Sequence, residues 1–344
     1  MPPGMVAVVY SPTYLDHDTR PHVEVPERLD AVWSAIEPTM SRRRLIDPVP
    51  IGLDQARQVH HPRQAELIRR LAERGGGQID ADTVVSARSL EVALLAAGGA
   101  TQAVDAVLRD GDSAAFALVR PPGHHATQNR SMGFCLFNNV AIAARHAQVE
   151  YGLERVAIVD FDVHHGNGTQ DIFEADPSVL FVSTHQFPLY PGTGRAEEVG
   201  TERGRGCTLN VPMAPGSGDA EFALAFREVV LPKLAAFRPE LILISAGYDA
   251  HWADPLAHLR LSTAGYATMV HDLMTLAREI GARGPVLTLE GGYDLDALAG
   301  SVAATLAVLA REPWRDPVGA APPGPDRTLD LNRVITRLRE IHTF

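Results

Sequence analysis

The side chains able to do chemistry in this 344-residue sequence gather in four short stretches: Arg120-Pro-Pro-Gly-His-His-Ala126, Asp160-Phe-Asp-Val-His-His-Gly-Asn-Gly168, Ala246-Gly-Tyr-Asp249 and Glu290-Gly-Gly-Tyr293. Asp160, Asp162 and His164 alternate, so along an extended chain their side chains share one face. Carboxylates and an imidazole crowded together need a counter-charge, and a divalent cation held by Asp162, His164 and the incoming Asp249 supplies it. Three protein ligands leave positions open for water and substrate, the pattern of a catalytic metal site. Zinc is the first choice, and a carboxylate-rich set also suits iron or cobalt. The plainer alternative for Asp160 or Asp162 is a cap on the following helix. His124 and His125, after a rigid Pro-Pro-Gly, suit proton transfer to and from a metal-activated water. Tyr293, after a Gly-Gly that permits unusual backbone angles, can bring a phenol to a polarised carbonyl. His165 points off the shared face and reads as structural. The other histidines, including His17, His22, His60, His61, His146, His258, His271 and His342, read as surface or structural residues.

Each chemical stretch follows a short apolar run. Candidate strands are 6–10, 114–119, 155–160, 179–183, 241–245 and 285–289; helical spacing runs through 90–108, 138–151, 219–237, 262–280 and 295–309. Continuous apolar strands separated by helices imply a mainly parallel sheet covered on both faces, in one doubly wound α/β domain. Ligands of such sheets bind beyond the carboxyl ends of the strands, where the histidines, carboxylates and tyrosine fall. The clearest break is Ala320-Ala-Pro-Pro-Gly-Pro325, so residues 1–320 are expected to form the catalytic domain. Residues 321–344 then form a Pro-rich linker and a last helix over 329–342, packed on or extending the same domain. Gly75-Gly-Gly77 and residues 192–206 are expected as surface loops, the second long enough to line a site.

The balance of 31 basic and 42 acidic residues, net −11, argues against a duplex-binding role, since that affinity comes from neutralising phosphates. Arg42-Arg43-Arg44 reads as a solvated face. No apolar run is expected to approach the roughly 18 residues of a membrane span. The N-terminus shows no basic n-region or cleavage-like site, so a cytoplasmic protein is expected. Cys135 and Cys207 are too few for a disulfide framework and read as free thiols.

These stretches, with Pro26-Glu-Arg-Leu29, Gly133-Phe-Cys-Leu-Phe-Asn-Asn139 and Tyr190-Pro-Gly-Thr-Gly194, resemble in order the histone deacetylase-like amidohydrolases of the arginase/deacetylase superfamily, nearest to class II, over roughly residues 5–310. The resemblance implies a three-layer α/β domain around an eight-stranded, mainly parallel sheet. It also implies a zinc-dependent deacetylase acting on acyl-lysine or a small N-acyl amine. Asp162, His164 and Asp249 would be the zinc ligands, and His124 and His125 the histidine pair. Tyr293 would help polarise the acyl carbonyl. Phe134 and Tyr190 would wall a narrow acyl-lysine channel beside the Gly133 carbonyl, with Leu256 and a rim carboxylate, Asp82. Arg28 would line an internal cavity behind the metal. The main-chain oxygens of Asp160, Asp162 and His164 with Ser183 would hold potassium, and Phe173 would mark a second potassium site. Asp160 is expected to hydrogen-bond His124 and favour its charged form. Asn167, where other branches carry aspartate, would face His125 and leave it the better proton shuttle.

An acetylpolyamine amidohydrolase is the enzyme alternative. The absence of a long insertion between His60 and Leu90, and Leu256 after Asp254-Pro255, lean away from it. A catalytically weak acyl-binding module is the alternative of another class, and the presence of Tyr293 with every ligand weighs against that. No nucleic-acid or membrane partner is expected, and nothing in the sequence specifies an oligomeric state.

Overall fold

Valine-, isoleucine- and alanine-rich runs bracketed by glycine, proline and polar caps form the strands and helices of a computed structural model that describes residues 5–342. Met1–Gly4, where the reading of the N-terminus begins, and Thr343–Phe344, the end of the 321–344 segment, lie outside the described residues. In chain order the elements are β1 (Val6–Val9), α1 (Glu27–Ile36), β2 (Arg44–Ile46), α2 (Leu53–Ala56), α3 (Pro62–Glu73), β3 (Gly76–Gln78), β4 (Val84–Ser86), α4 (Ser89–Leu108), β5 (Ala114–Ala117), α5 (Asn139–Tyr151), β6 (Val156–Asp160), α6 (Asn167–Phe173), β7 (Val179–Gln186), β8 (Thr208–Met213), α7 (Asp219–Ala225), α8 (Leu231–Phe237), β9 (Leu241–Ala246), α9 (Thr263–Ile280), β10 (Arg283–Leu289), α10 (Leu295–Ala310) and α11 (Thr328–His342).

Eight strands form one sheet in the order β2-β1-β5-β10-β9-β6-β7-β8, and every pairing in it is parallel. β1, β5, β6, β7 and β9 are buried along their whole length, as an apolar run covered on both faces must be. α4 and α5 pack on each other and on this sheet; α1, α9 and α10 form a second packed group. The two strands of this sheet that are absent from the sequence reading, β2 and β8, are its edges. β2 has only three residues, with Leu45 exposed, and β8 carries Pro212, a residue that only an edge ladder tolerates. The helix boundaries follow local chemistry. Asn138, Ser262 and Asp294 accept from backbone N–H groups of the first turns of α5, α9 and α10, and left-handed Gly152 and Gly281 end α5 and α9.

Several expectations change. Gly76 and Gly77 belong to β3, which pairs antiparallel with β4, so the glycine run is one arm of a hairpin. The helix expected over 219–237 is interrupted by a π turn at Phe226–Val230 between α7 and α8. α4 is as long and apolar as a membrane span, contrary to expectation; it packs on β1, β5, β10 and α5, and burial on several sides explains its composition. Arg43 does not belong to a solvated face: its side chain is buried against Glu312 and the Thr39 carbonyl.

The tail returns to the domain. Leu331, Ile335 and Leu338 bury one stripe of α11 against α7 and β8. Before it, Trp252 Nε1 donates to the Gly319 carbonyl at 3.1 Å, and Arg327 ties to Glu221 and to the Pro215 carbonyl.

Below the carboxyl edge of the sheet lies a buried ionic cluster. Glu24 accepts from Arg28 (2.9 Å) and twice from Arg120 (2.9 and 2.8 Å), and none of the three side chains is more than 1% exposed. Arg120 also donates to the carbonyls of Tyr14 and His17, tying the N-terminal loop to the end of β5. Burial alone would raise the Glu24 pKa, but the charges of Arg120 and Arg28 outweigh it and bring it down to about 2. Neutralising Glu24 leaves the two buried cations uncompensated, a cost of about 3–5 kcal/mol. Glu24→Gln should therefore lose that much stability in urea unfolding near neutral pH. Because the folded-state pKa is depressed, the ionic contribution is complete above the unfolded value of 4.5 and is lost as pH falls toward about 2. The difference between Glu24→Gln and the parent should shrink accordingly in acid.

Candidate active site

The four chemical stretches leave the sheet from β5, β10, β9 and β6, which are consecutive in the strand order, so their carboxyl ends converge on one place. Asp160 ends β6, and the chain beyond it carries Asp162 and His164. Asp249 arrives three residues after β9, and Tyr293 four residues after β10.

His164 Nδ1 lies 3.2 Å from both Asp162 Oδ1 and Asp249 Oδ2. Among the described residues, these three form the group whose donor atoms all fall within 4.8 Å of one another. Both carboxylates are oriented by backbone donors: Gly291 N–H to Asp162 Oδ2 at 2.9 Å and Val163 N–H to Asp249 Oδ1 at 2.8 Å. The carboxylates are buried and the His164 side chain is 12% exposed. Burial and the Asp162 charge raise the Asp249 pKa. On His164 burial opposes a charge, yet its bonds to Asp162 and Asp249 win and push it up to about 10. A positive charge is thus what the carboxylates demand at this point. Two carboxylate oxygens and an imidazole nitrogen are a donor set that fits a divalent metal such as zinc.

The adjacent histidines sit in opposite electrostatic settings. His124 Nδ1 bonds Asp160 Oδ2 at 3.0 Å, and although burial opposes it, the charges of Asp162 and Asp160 raise its pKa well above 6.5. His125 Nδ1 faces the neutral Asn167 Oδ1 at 2.8 Å, and burial, then the neighbouring His124 and His164, lower its pKa well below 6.5. With its Nδ1–H donated to Asn167, His125 keeps Nε2 as an unprotonated acceptor.

A cavity of about 220 Å³ opens onto these groups, lined by His124, His125, His164, Tyr293, Gly133, Phe134, Tyr190, Leu189, Leu256, Pro122, Gly291 and Asp82. The Phe134 ring meets Tyr293 edge-on at 5.8 Å, and Tyr190 meets His125 edge-on at 5.2 Å. Gly133 (φ 57°) and Phe134 (φ 69°) both sit in the left-handed region, which swings the Phe134 ring into the wall. A Cβ at residue 133 would stand 2.5 Å from His125 Cδ2, so only glycine fits there. Burial raises the Tyr293 pKa well above 10, against the opposing Arg28 charge, so the phenol stays a proton donor. A larger groove of about 1060 Å³ between α1, α10 and residues 315–318 carries none of these groups.

The structure therefore brings together Asp162, His164, Asp249, His124, His125, Tyr293, Gly133, Phe134, Tyr190, Leu256 and Asp82, with Asp160 and Asn167 behind the histidines. Ser183 lies opposite Asp160 in the β6–β7 register, its hydroxyl bonded to His185, and Phe173 is buried at the end of α6. Arg28 lines neither of the two cavities described here: its guanidinium is taken up by Glu24 and by the carbonyls of Gly292 and Glu290, 4.9 Å over the Tyr293 ring. The 192–206 loop stands behind the wall, where Glu198 accepts from the Gly194 and Arg195 backbones, and only Leu189 and Tyr190 before it reach the cavity. His165 is structural as expected, bonded to Thr193 and Gln170.

Two supporting carboxylates escape sequence reading. Glu290 accepts from the backbone N–H groups of Gly123 and His124 at 2.6 and 3.1 Å, and so holds the turn that presents the histidine pair. Asp254 accepts from the backbones of Tyr293, Asp294 and Leu256. Glu290 lies inside a quoted motif, which was the available signal; Asp254 stands in the sequence only as part of the Asp254-Pro255 pair that locates Leu256, with nothing to mark it as a support. His22, assigned no role, packs edge-on against Phe134 at 4.4 Å.

Comparison with known proteins places this geometry in a family. Residues 22–309 match the histone deacetylase domain. A histone deacetylase-like amidohydrolase of Pseudomonas aeruginosa is 39% identical, over 79% of this chain and 72% of its own length. The chloroplastic histone deacetylase 14 of Arabidopsis thaliana is 47% identical, over 67% of this chain and 56% of its own. A crystal structure of the HDA15 HD domain superposes with a TM-score of 0.89 at 36% identity, covering 98% of this chain and 94% of that one. The chain belongs to the histone deacetylase family.

Proposed function

We propose that this protein is a zinc-dependent deacetylase that hydrolyses the amide of acetyl-lysine, or of a similar N-acyl amine, to the free amine and acetate. The observation that carries this reading is the unequal histidine pair, His124 on Asp160 and His125 on Asn167, facing the Asp162–His164–Asp249 group at the floor of an aromatic-walled cavity.

Asp162, His164 and Asp249 hold the metal; when bound, zinc supplies Lewis acidity toward the acyl carbonyl and toward water. Phe134 and Tyr190 flank the alkyl stem of the substrate and exclude solvent from the acyl group. His125 Nε2 takes the proton of the attacking water, because its Nδ1 partner is neutral and its surroundings disfavour a charge. His124, kept cationic by Asp160 and Asp162, stabilises the negative charge that develops on the acyl oxygen. The Tyr293 hydroxyl donates to that same oxygen, and the proton held on His125 then passes to the leaving nitrogen. The main-chain oxygens of Asp160, Asp162 and His164 with the Ser183 hydroxyl, and a second position at Phe173, are proposed to hold potassium.

Activity on an acetyl-lysine peptide, compared side by side with an acetylpolyamine and a longer acyl-lysine, tests the assignment. The acetyl-lysine peptide should be turned over, chelation should abolish turnover, and zinc should restore it; a chelator-resistant activity would sink the reading. Loss of one oxyanion donor costs about 10²–10³ in kcat, so Tyr293→Phe should fall by that factor with metal content unchanged. Asn167→Asp places a negative charge against His125 and raises its pKa. Since the base must be neutral, the acid limb of the kcat/KM profile should move to higher pH.

A further inference from the structure

The peptide group joining Gly292 to Tyr293 is gripped from both ends by buried polar side chains, those of Arg28 and Asp254. Its carbonyl accepts from Arg28 Nε at 2.7 Å, and its N–H donates to Asp254 Oδ2 at 2.7 Å. Asp254 Oδ2 also accepts from Asp294 N–H at 3.3 Å, and its Oδ1 accepts from Leu256 N–H at 3.0 Å. The residue is 7% exposed. Asp294 in turn caps α10 through Ala297 N–H at 2.9 Å. One carboxylate therefore joins the segment after β9, which carries Asp249 and Leu256, to the turn after β10, which carries Tyr293. Gly292 sits at φ 120°, where the chain has little steric guidance of its own, so the direction in which Tyr293 leaves the turn depends on these outside partners.

We propose that Asp254 is a positioning residue for turnover: by fixing the Gly292–Tyr293 peptide it sets where the Tyr293 hydroxyl stands relative to the acyl oxygen. This inference rests on the reading of Tyr293 as the oxyanion donor. The carboxylate is suited to the task because all its backbone partners are donors. An asparagine of the same shape has one accepting and one donating end, so whichever way its amide turns, an NH₂ faces a backbone N–H.

The test is a double-mutant cycle between Asp254→Asn and Tyr293→Phe on the zinc-loaded protein, with an acetyl-lysine peptide as substrate and with Tm and zinc per chain measured on each variant. Misplacing a catalytic group by about an ångström costs up to roughly a hundredfold, so Asp254→Asn alone should lower kcat about ten- to a hundredfold while zinc per chain stays unchanged. In the Tyr293→Phe background the same change should lower kcat less than about twofold, because there is no hydroxyl left to misplace; a fold brace would act equally in both backgrounds. Unchanged kcat in Asp254→Asn, or an equal loss in both backgrounds, would overturn the proposal. A Tyr293→Phe enzyme with full kcat would remove the hydroxyl's role itself and the inference with it, an outcome visible in the single variant. Should Asp254→Asn fail to fold, Asp254→Ser, which keeps one accepting oxygen without bulk, is carried through the same cycle and judged by the same outcomes.

Discussion

Four carboxylates, Asp160, Asp162, Asp249 and Glu290, are buried close together at the end of a sheet whose strands are largely apolar. Burying like charges together is costly unless each is compensated, and the surrounding structure follows from how that compensation is divided. Asp160 is answered by His124, Glu290 by the backbone donors of Gly123 and His124, and Asp162 and Asp249 by His164 and by backbone donors from Gly291 and Val163. Two carboxylate oxygens and an imidazole nitrogen are left converging on one point, a donor set that could hold a divalent cation.

The same economy separates the two histidines. They are neighbours in sequence, their rings 4.0 Å apart, and both are buried. One is backed by a carboxylate and the other by an amide, and a cation on the first disfavours a cation on the second. The two imidazoles are thereby pushed toward opposite protonation states, the asymmetry a site needs if one imidazole is to accept a proton and the other to present a charge. Below them the Glu24–Arg28–Arg120 cluster anchors the N-terminal loop to the β5 and β10 turns, so the electrostatic floor of the site is also a mechanical one.

Much of this was legible in the chain. The inner strands and long helices announce themselves because burial on both faces demands continuous apolar runs, and capping residues mark the helix ends. The edges did not. β2 is too short and too exposed to leave a hydrophobic signature, Pro212 hides β8, and the glycine run at 75–77 gave no sign of its pairing with Val84–Ser86. Arg43 was misread because its burial comes from Glu312, some 270 residues away in sequence, and α4 looks like a membrane span only while its packing partners are unknown.

The residue types and spacings of the four strand-end stretches determined by themselves which side chains could hold a metal, move protons and polarise a carbonyl, because period-two alternation and position after a buried strand are local properties. Only the tertiary structure decided how those side chains are made unequal and held. Asp160 behind one histidine and Asn167 behind the other, expected only through the family resemblance, and Glu290 under the Pro-Pro-Gly turn and Asp254 under the Tyr293 turn, expected from nothing in the chain, are contacts across 36, 42, 167 and 39 residues. No local pattern encodes such pairings, since they depend on which strands lie side by side in the sheet and on how little water reaches the space between their ends.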